Sequence, residues 1–386
     1  MIPDLPDPLL AEAYHEAAER NVLAALNPEV FFGYWSVCAD GQDFGYGNTF
    51  PSLDGHQMAD ALLFLGREKE VLANWDYVRG FQKPDGQLPL AIFRDPASVP
   101  SLKLDPNGGL YRHWVIGDPL RALAGPTYIQ NADAIFARTR DLGWLKTQLP
   151  SVNRAGDFLD SMTTPEGRVG GAGYYIERPT RIESDGVSQC HAVDALRRLA
   201  ALNRAAGDEP AARRFSDRAE RIAGHFREAF WVGDHFAEYI HPERGVMAHH
   251  GLTDVDWAAI ACDVAGPEQT AVLWPKLRSE EKFHYGGMPS GISTRPETYE
   301  DWEFTHPDKH DLAAMGRVWY VECWARWRMG DRDGILDSMR RVARVGREGG
   351  WYWRERYYPS GEPAGARKYC EYASNLIRIV HRFLEA

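Results

Sequence analysis

Paired helical patterns run through most of this sequence and limit what it can fold into. Apolar residues recur at the spacing of an α-helix, and the helical segments come in twos, joined by short turns such as 205–210 and 329–334. The pairs are 54–67 with 68–82, 125–142 with 144–162, 186–207 with 208–231, 254–266 with 267–281, and 311–330 with 331–349, and single helices 9–26 and 366–386 flank them. Pro150 is expected to disturb the second helix of its pair. Because short connections make consecutive helices antiparallel neighbours, the chain is expected to form about six helical hairpins.

Long segments rich in glycine, proline and aromatic residues separate the pairs. They are 28–53, 83–124, 163–185, 232–253, 282–310 and 350–365. Long loops inside a compact domain are uncommon and usually functional. Short turns on one side and long aromatic loops on the other predict an all-α toroid with a functional loop face. No linker or strand-rich region interrupts the pattern, so residues 1–386 are expected to form a single domain, and the lack of a fixed repeat length argues against a solenoid.

Composition and charge exclude several classes of function. The net charge is -11 and no run of lysine and arginine occurs, so no nucleic-acid partner is expected. The five cysteines lie far apart, which argues against a disulfide framework and a structural zinc site. No Gly-x-Gly-x-x-Gly or P-loop motif occurs, so no cofactor is expected. No apolar run reaches the ~20 residues of a membrane span, and the acidic N-terminus lacks the apolar core of a signal peptide. These features predict a soluble, cytoplasmic protein.

Histidines and aromatic residues are the next groups in the sequence that could bind a ligand. His306 and His310 are four residues apart, but Pro307 between them argues against a zinc-binding helix, and no metal site is expected. The chain contains 13 tryptophans. They indicate either a large aromatic core or a cleft whose flat apolar faces suit sugar rings, and the sequence leaves both open.

One glutamate lies in an unusual setting near the C-terminal end. Glu355 stands in the aromatic stretch 351–363, between Arg354 and Arg356. Crowding by rings desolvates a carboxylate and raises its pKa, whereas flanking arginines lower it. Such a group is either a buried structural ion pair or part of a catalytic site.

Two further loops carry carboxylates. Asp185 lies just before a strong helix, where it is either the N-cap, a role that Ser184 could also fill, or available for chemistry. The acidic stretch 293–311, which includes Trp302, is either a solvated face or part of a site. Carboxylates far apart in sequence but on loops of one face are typical of glycoside hydrolysis, in which one carboxyl group is protonated and the other is ionised.

These stretches resemble the six-hairpin (α/α)6-barrel glycosidases, in particular glycoside hydrolase family 63 and its mannosylglycerate-hydrolase-like members. The similar segments are "GFQKPDGQLP" (80–89), "IESDG" (182–186), the helix pair 255–277 and "ERYYPSGEP" (355–363). The resemblance implies an inverting mechanism with Asp185 as general acid and Glu355 as general base. Since "IESDG" is one residue shorter than the family's E-S-G-x-D pattern, Glu183 remains an alternative to Asp185. The chain has no room for the N-terminal β-sandwich of many relatives, so a bare catalytic barrel is expected.

Several loop residues are candidates for binding the sugar, although packing within the loops explains each of them equally well. The candidates are Trp35, Asp43, Asp54, Arg112, His113, Trp114, Gln189, Trp302, Trp351 and Tyr357. Arg112 and the arginines in 178–181 could accept an anionic substrate such as a glycerate or a uronate. The expected partner is therefore a small carbohydrate; the identity of the sugar and the oligomeric state, a homo-oligomer included, are left open.

Other functions fit the same architecture. Sugar epimerases of the N-acylglucosamine 2-epimerase type use bare barrels with catalytic histidines. Histidines occur in 247–251 and 305–311, without the R-H-x-x-H spacing of that group. Unsaturated glucuronyl hydrolases, which rely on aspartates, are another alternative. A non-catalytic carbohydrate-binding barrel, whose carboxylates only hold hydroxyl groups, is the third.

Overall fold

The computed structural model describes residues 5, 7–27, 34–41, 49–89, 91–93, 103–104, 112–113, 121–170, 184–304 and 308–385. The helices are α1 (Pro8–Glu16), α2 (Ser52–Phe64), α3 (Glu68–Arg79), α4 (Arg121–Thr139), α5 (Leu142–Ser161), α6 (Gly186–Ala206), α7 (Glu209–Ala229), α8 (Asp254–Ala261), α9 (Pro267–Leu277), α10 (Gly316–Arg328), α11 (Arg332–Glu348) and α12 (Glu371–Ile379). Single π-helical segments, Ala17–Val22 and Val380–Leu384, extend α1 and α12.

Short antiparallel strand pairs lie in the loops. They are β1 (Thr49–Pro51) with β2 (Ala91–Phe93), β3 (Lys103–Leu104) with β4 (Arg112–His113), β5 (Tyr239–His241) with β6 (Gly245–Met247), and β7 (Arg356–Tyr357) with β8 (Pro363–Ala364). Each pair stands alone as a two-stranded ladder. The described part of the chain is therefore mainly helical, as the sequence predicts.

The helices form two concentric rings. The even-numbered helices pack in the order α2, α4, α6, α8, α10 and α12, and α12 closes the inner ring against α2. The odd-numbered helices lie outside, each against its even-numbered neighbour in sequence, and α1 packs against α11 and α12. The predicted toroid of six helical hairpins is thereby confirmed. The sixth pair consists of α12 and α1, which pack against each other although they lie at opposite ends of the sequence.

The two rings differ in the pattern of their burial. In α2 every residue from Ser52 to Leu63 is buried, and all of α8 is buried. In the outer helix α7 only one stripe is buried, formed by Ala211, Ala212, Phe215, Ala219, Ile222, Ala223 and Phe226. A helix buried all round belongs inside, and an amphipathic helix covers it. The sequence therefore sorts its helices into inner and outer layers.

The expectation for Pro150 was wrong. Helix α5 runs without interruption from Leu142 to Ser161 through this proline. Proline removes one intrahelical hydrogen bond, but α5 packs on both α4 and α6 through buried residues such as Leu145 and Val152. Tertiary packing on two neighbours holds the helix together across the missing bond.

Among the described helices, none combines the length and the apolar character that crossing a membrane requires.

Candidate active site

The described parts of the long loops adjoin the inner helices at one end of the toroid. Short turns lead from each inner helix to the next outer helix in the chain, and long segments lead back to the inner ring. The inner helices therefore run in one direction, with their N-termini at the loop face. Several charged residues stand at these N-termini. They are Asp54 in the first turn of α2, Asp185 as the N-cap of α6, Asp254 and Asp256 in the first turn of α8, Arg317 in the first turn of α10, and Glu371 as the first residue of α12.

Backbone contacts tie these loops together. Isolated antiparallel bridges join Asp185 to Tyr239, Thr253 to Ser293, Gly291 to Ala314, and Ala314 to Tyr357. They run from the start of α6 to strand β7. The two sequence candidates, Asp185 and Glu355, thus belong to one connected loop face.

Glu355 directly precedes β7 and is only 3% exposed. Its Oε1 lies 2.5 Å from Nη1 of Arg356, and its Oε2 accepts the backbone N–H of Ala366 at 2.9 Å. Of the two arginines that flank Glu355, Arg356 makes the ion pair, while Arg354 donates to the carbonyl oxygen of Gly365. Charge-assisted bonds on both oxygens suit an ionised carboxylate and fix its orientation.

Around Glu355 lies a group that we call the Arg317 cluster: Arg317, Asp54, Glu355 and Glu371. Arg317 donates from Nε to Oε1 of Glu371 at 2.6 Å and from Nη2 to Oδ1 of Asp54 at 3.4 Å. Burial raises the pKa of Glu371 to about 7; Arg317 opposes this shift, and the negative charges of Asp54 and Glu355 add to it. The cluster thus gathers three carboxyl groups around one buried arginine, and burial raises the pKa of one of them.

Asp185 is the N-cap of α6, which is the structural alternative that the sequence left open. Its Oδ2 accepts the backbone N–H of Ser188 at 2.6 Å, and the residue is 1% exposed. Ser184 does not take this role: its hydroxyl oxygen is buried and has no hydrogen-bond partner in the described part of the chain. The cap involves only one of its two oxygens, so the cap does not decide whether Asp185 also acts as an acid.

Three predicted sugar-binding residues lie within the packed interior. Trp35 is 1% exposed and pairs through its backbone with Leu26. Trp351 is buried beside Trp353, and its carbonyl oxygen accepts a bond from Asn21 on the π-helical extension of α1. For both tryptophans the geometry agrees with loop packing. Gln189 is fully buried and bonds with its amide to the backbone of Val169 and of Asp185.

Other predicted residues lie closer to the surface or to the cluster. Trp302 is partly exposed, with the Arg244 guanidinium 4.0 Å above its ring. The Tyr357 hydroxyl oxygen accepts the backbone N–H of Arg354, and burial raises the pKa of Tyr357 to about 12. Arg112 and His113 form strand β4. Asp43, Trp114 and Glu183 lie outside the described residues, as do His306 and the arginines in 178–181.

A second buried polar network on the loop face was not predicted from the sequence. His250 and the hydroxyl of Tyr239 both bond to Oε1 of Glu303, at 3.0 and 2.6 Å. The hydroxyl of Tyr299 donates to Glu238, and its ring stacks on His250 with centroids 3.7 Å apart. Burial raises the pKa of Glu303, but the bonds from His250 and Tyr239 outweigh it and lower this pKa to about 2. Glu303 belongs to the acidic run 293–311, for which the sequence left open a solvated face or part of a site. This glutamate is buried, so it does not belong to a solvated face.

The same network bears on metal binding. His249, His250 and Glu303 bring one potential ligand atom each to within 4.8 Å of one another. Both ring nitrogens of His250 are already hydrogen-bonded, Nε2 to Glu303 and Nδ1 to the hydroxyl of Thr298 at 2.8 Å. A cation would have to displace these bonds. We therefore assign the network to holding the loops together.

A narrow polar cavity of about 70 Å³ lies inside the ring, partly lined by Arg317. Five inner helices contribute to its wall, which includes His56, Gln130, Asn131 and His191. Burial lowers the pKa of both His56 and His191 to about 3, so both are neutral. The interior of the ring is thus polar next to the Arg317 cluster.

Comparisons with known proteins bear on the fold. Neither a family model nor a curated protein matches the sequence. The structure is similar to a family 63 mannosylglycerate hydrolase from Thermus thermophilus in complex with glucose, with a TM-score of 0.67 and 11% identity over 98% of this chain and 100% of that one. It is also similar to a rhamnosidase from Klebsiella oxytoca with rhamnose bound, with a TM-score of 0.68 and 14% identity over 100% of this chain and 66% of that one.

A third similar structure is the family GH78 rhamnosidase of a Bacillus species, with a TM-score of 0.65 and 16% identity over 98% of this chain. The chain spans only 35% of that protein's length. These identities are low, so the likeness concerns the arrangement of the helices. At that level it confirms the fold that the resemblance implied: the chain forms an (α/α)6 toroid.

Proposed function

We propose that the chain is a glycoside hydrolase that cleaves a small glycoside or oligosaccharide by an inverting, two-carboxylate mechanism. The observation that carries the proposal is the setting of Glu355. It lies on the loop face and is oriented by Arg356 and by the N–H of Ala366. The fold shared with glycosidases supports the same reaction class.

In this mechanism Glu355 is the general base. Each oxygen of an ionised carboxylate accepts more than one hydrogen bond, so both can still accept from water after their bonds to Arg356 and Ala366 are made. Glu355 removes a proton from a water molecule that attacks the anomeric carbon, while the general acid protonates the departing oxygen from the opposite face of the sugar. The reaction requires no cofactor.

Asp185 is the proposed general acid, with Glu183 as the alternative. Asp185 stands on the same loop face, at the N-terminus of an inner helix, and one of its oxygens is bonded to Ser188. Its backbone bridge to Tyr239 sets its position relative to the neighbouring loop. The substrate expected between the two carboxylates is a carbohydrate.

The test is turnover of a panel of α- and β-glycosides, glycerate glycosides included, followed through their anomeric protons by NMR. Glu355→Gln is measured in parallel, with Glu362→Gln as control, because Glu362 is exposed in the turn between β7 and β8. We expect cleavage with the inverted anomer appearing first, a loss of about 10²–10⁴-fold in Glu355→Gln, and wild-type rates in the control.

Each other outcome selects a different function. Retention of the anomeric configuration would rule out the inverting mechanism. Interconversion of sugars without cleavage would favour the epimerase, and an active Glu355→Gln variant would return Glu355 to a structural role. Binding of a glycoside without any turnover would favour a carbohydrate-binding barrel.

A further inference from the structure

Glu371 stands out among the buried groups that the proposed mechanism does not use. Its side chain is 1% exposed, at the first position of α12. Oε1 accepts from Arg317 at 2.6 Å, whereas Oε2 is buried and meets no hydrogen-bond partner in the described part of the chain. A buried carboxylate with one unsatisfied oxygen is costly, and protonation is the usual way to reduce that cost.

The charges around Glu371 point the same way. It faces Asp54 from α2, Arg317 from α10 and Glu355 from the segment before β7, with Tyr372 beside it on its own helix. The second arginine nearby, Arg356, is taken up by Glu355 and by Asp311 at 3.6 Å. Three carboxyl groups therefore interact with Arg317, and like charges gathered in a buried site raise the free energy of the fully ionised state.

Of the three, Glu371 is the group best placed to hold a proton. Glu355 has a cation on one oxygen and a backbone N–H on the other. Asp54 is more exposed than Glu371, with 10% of its side chain accessible. Glu371 is the most deeply buried of the three side chains, at 1% exposed, and its Oε2 has no hydrogen-bond partner among the described residues. Its pKa, raised to about 7 by burial, agrees with this ranking.

We propose that Glu371 is a positioning residue that carries a proton while the enzyme works, so that the charge of Arg317 remains available to Asp54 and to the base Glu355. The inference rests on the proposed function for the role of Glu355, but the protonation of Glu371 does not depend on it. Loss of the proton places a further negative charge beside Glu355. Repulsion between the two carboxylates then displaces Glu355 from the geometry that positions the attacking water.

The first test concerns the proton itself and needs no substrate. Stability is measured by urea denaturation of the wild type and of Glu371→Gln between about pH 5 and pH 8. The folded-state pKa of Glu371 is raised above 4.5, so its contribution to stability is complete below pH 4.5 and is lost as pH rises through about 7. We expect the wild type to lose stability relative to the variant over this interval. Because Asp256, whose pKa is also raised to about 7 by burial, is present in both proteins, the difference reports on Glu371.

The second test concerns activity. Glutamine has the size of a protonated glutamate, so Glu371→Gln is expected to match wild-type kcat/KM within about threefold near pH 6. At pH 8, one unit above the titration, the wild type should fall about tenfold relative to the variant. A folded variant that is inactive at every pH would overturn the inference, since it would show that the ionised carboxylate is needed. So would identical pH profiles, because a purely structural glutamate would give them.

A further variant covers the case in which Glu371→Gln does not fold. Removing the charge of Glu355 by Glu355→Gln is expected to lower the pH at which the Glu371 carboxyl titrates. The measurement is the pH at which the carbonyl band of the protonated carboxyl group loses half its intensity in infrared difference spectra. An unchanged midpoint contradicts the coupling. If the protein cleaves no glycoside but the stability difference appears, the proposed function fails and the protonation stands. If it cleaves glycosides and the stability difference between wild type and Glu371→Gln does not change with pH, only the inference about Glu371 fails.

Discussion

At the scale of single residues, the position of Glu355 depends on a neighbour without a side chain. Gly365 has φ +69°, and a Cβ added there would lie 2.6 Å from Oε2 of Glu355 and 2.8 Å from its Cβ. Neither atom is the free end of a flexible chain, since Oε2 is bonded to Ala366. An alanine at this position would therefore push the carboxylate out of place.

Gly365→Ala is predicted to lose activity through this displacement. We expect kcat/KM to fall about 10²-fold, the size of effect that a misplacement of about 1 Å produces, together with about 1–2 kcal/mol of stability for the left-handed backbone. The matched control is Gly330→Ala, at φ +71° with nothing within 4 Å of its added Cβ. It should show a similar loss of stability in urea denaturation without the loss of kcat/KM. Equal activity in both variants would contradict the role given to Gly365.

The residues next to Glu355 in the sequence mark it as a candidate, but they give no indication of the Arg317 cluster. Glu355 has rings, arginines and a turn beside it, all within a few residues. Asp54 and Arg317 are 263 residues apart, and Glu371 lies in a stretch without a motif. Closure of the inner ring brings α2, α10 and α12 together, and a sequence does not show which buried carboxyl groups will then share one arginine.

At the scale of secondary-structure elements, one residue serves both a helix and the proposed reaction. Asp185 caps α6, and the proposed mechanism also uses it as the acid. The two roles have different chemical requirements. Asparagine caps a helix about as well as aspartate does, whereas alanine does not, and neither can donate a carboxylic proton.

Two substitutions at Asp185 therefore separate the roles. Asp185→Asn should retain stability within about 0.5 kcal/mol, and Asp185→Ala should lose about 1 kcal/mol, but both should lose about 10²–10⁴-fold in kcat/KM. The matched control is Asp208→Ala on the outer helix α7, where Asp208 accepts the N–H of Ala211 at 3.0 Å. It should lose the same stability and keep its activity. If Asp185→Asn remains fully active, Asp185 is a cap alone and Glu183 is the acid to test next.

The hairpins could be predicted because each helix carries its own apolar period and each turn its own signal. The α6–α7 turn, for example, has Gly207 at φ 90° followed by the capping Asp208. Prediction failed where distant segments intervene. Helix α10 was expected from residue 311 and begins at Gly316, because Ala314 exchanges backbone bonds with Tyr357 of β7 at 2.8 and 3.1 Å. That competition depends on strand β7, which the sequence did not indicate.

At the scale of the whole molecule, the inner ring closes where its last helix, α12, packs against its first helix, α2. The seam lies between α2 and α12, where Asp60 accepts from Arg378 at 2.7 Å and from Arg382 at 2.9 and 2.6 Å. Asp60 is 4% exposed. A carboxylate bonded to two guanidinium groups within the ring joins elements more than 300 residues apart, as the separations of 318 and 322 residues show.

The seam gives the last prediction. Asp60→Asn leaves Arg378 and Arg382 without their shared anion, and breaking a buried ion pair from one side costs about 3–5 kcal/mol. Burial raises the pKa of Asp60, but Arg382 and Arg378 outweigh it and bring this pKa well below 3.8. The contribution is therefore complete above pH 4 and is lost as pH falls below that value, so the gap between wild type and variant in urea denaturation should narrow from pH 7 to pH 3. The control, Asp76→Asn, removes an exposed partner of Arg79 on the outer helix α3 and should change stability little at either pH. If the difference in unfolding free energy between wild type and Asp60→Asn stays constant with pH, the seam is held by apolar packing and the ion pair contributes little to its stability.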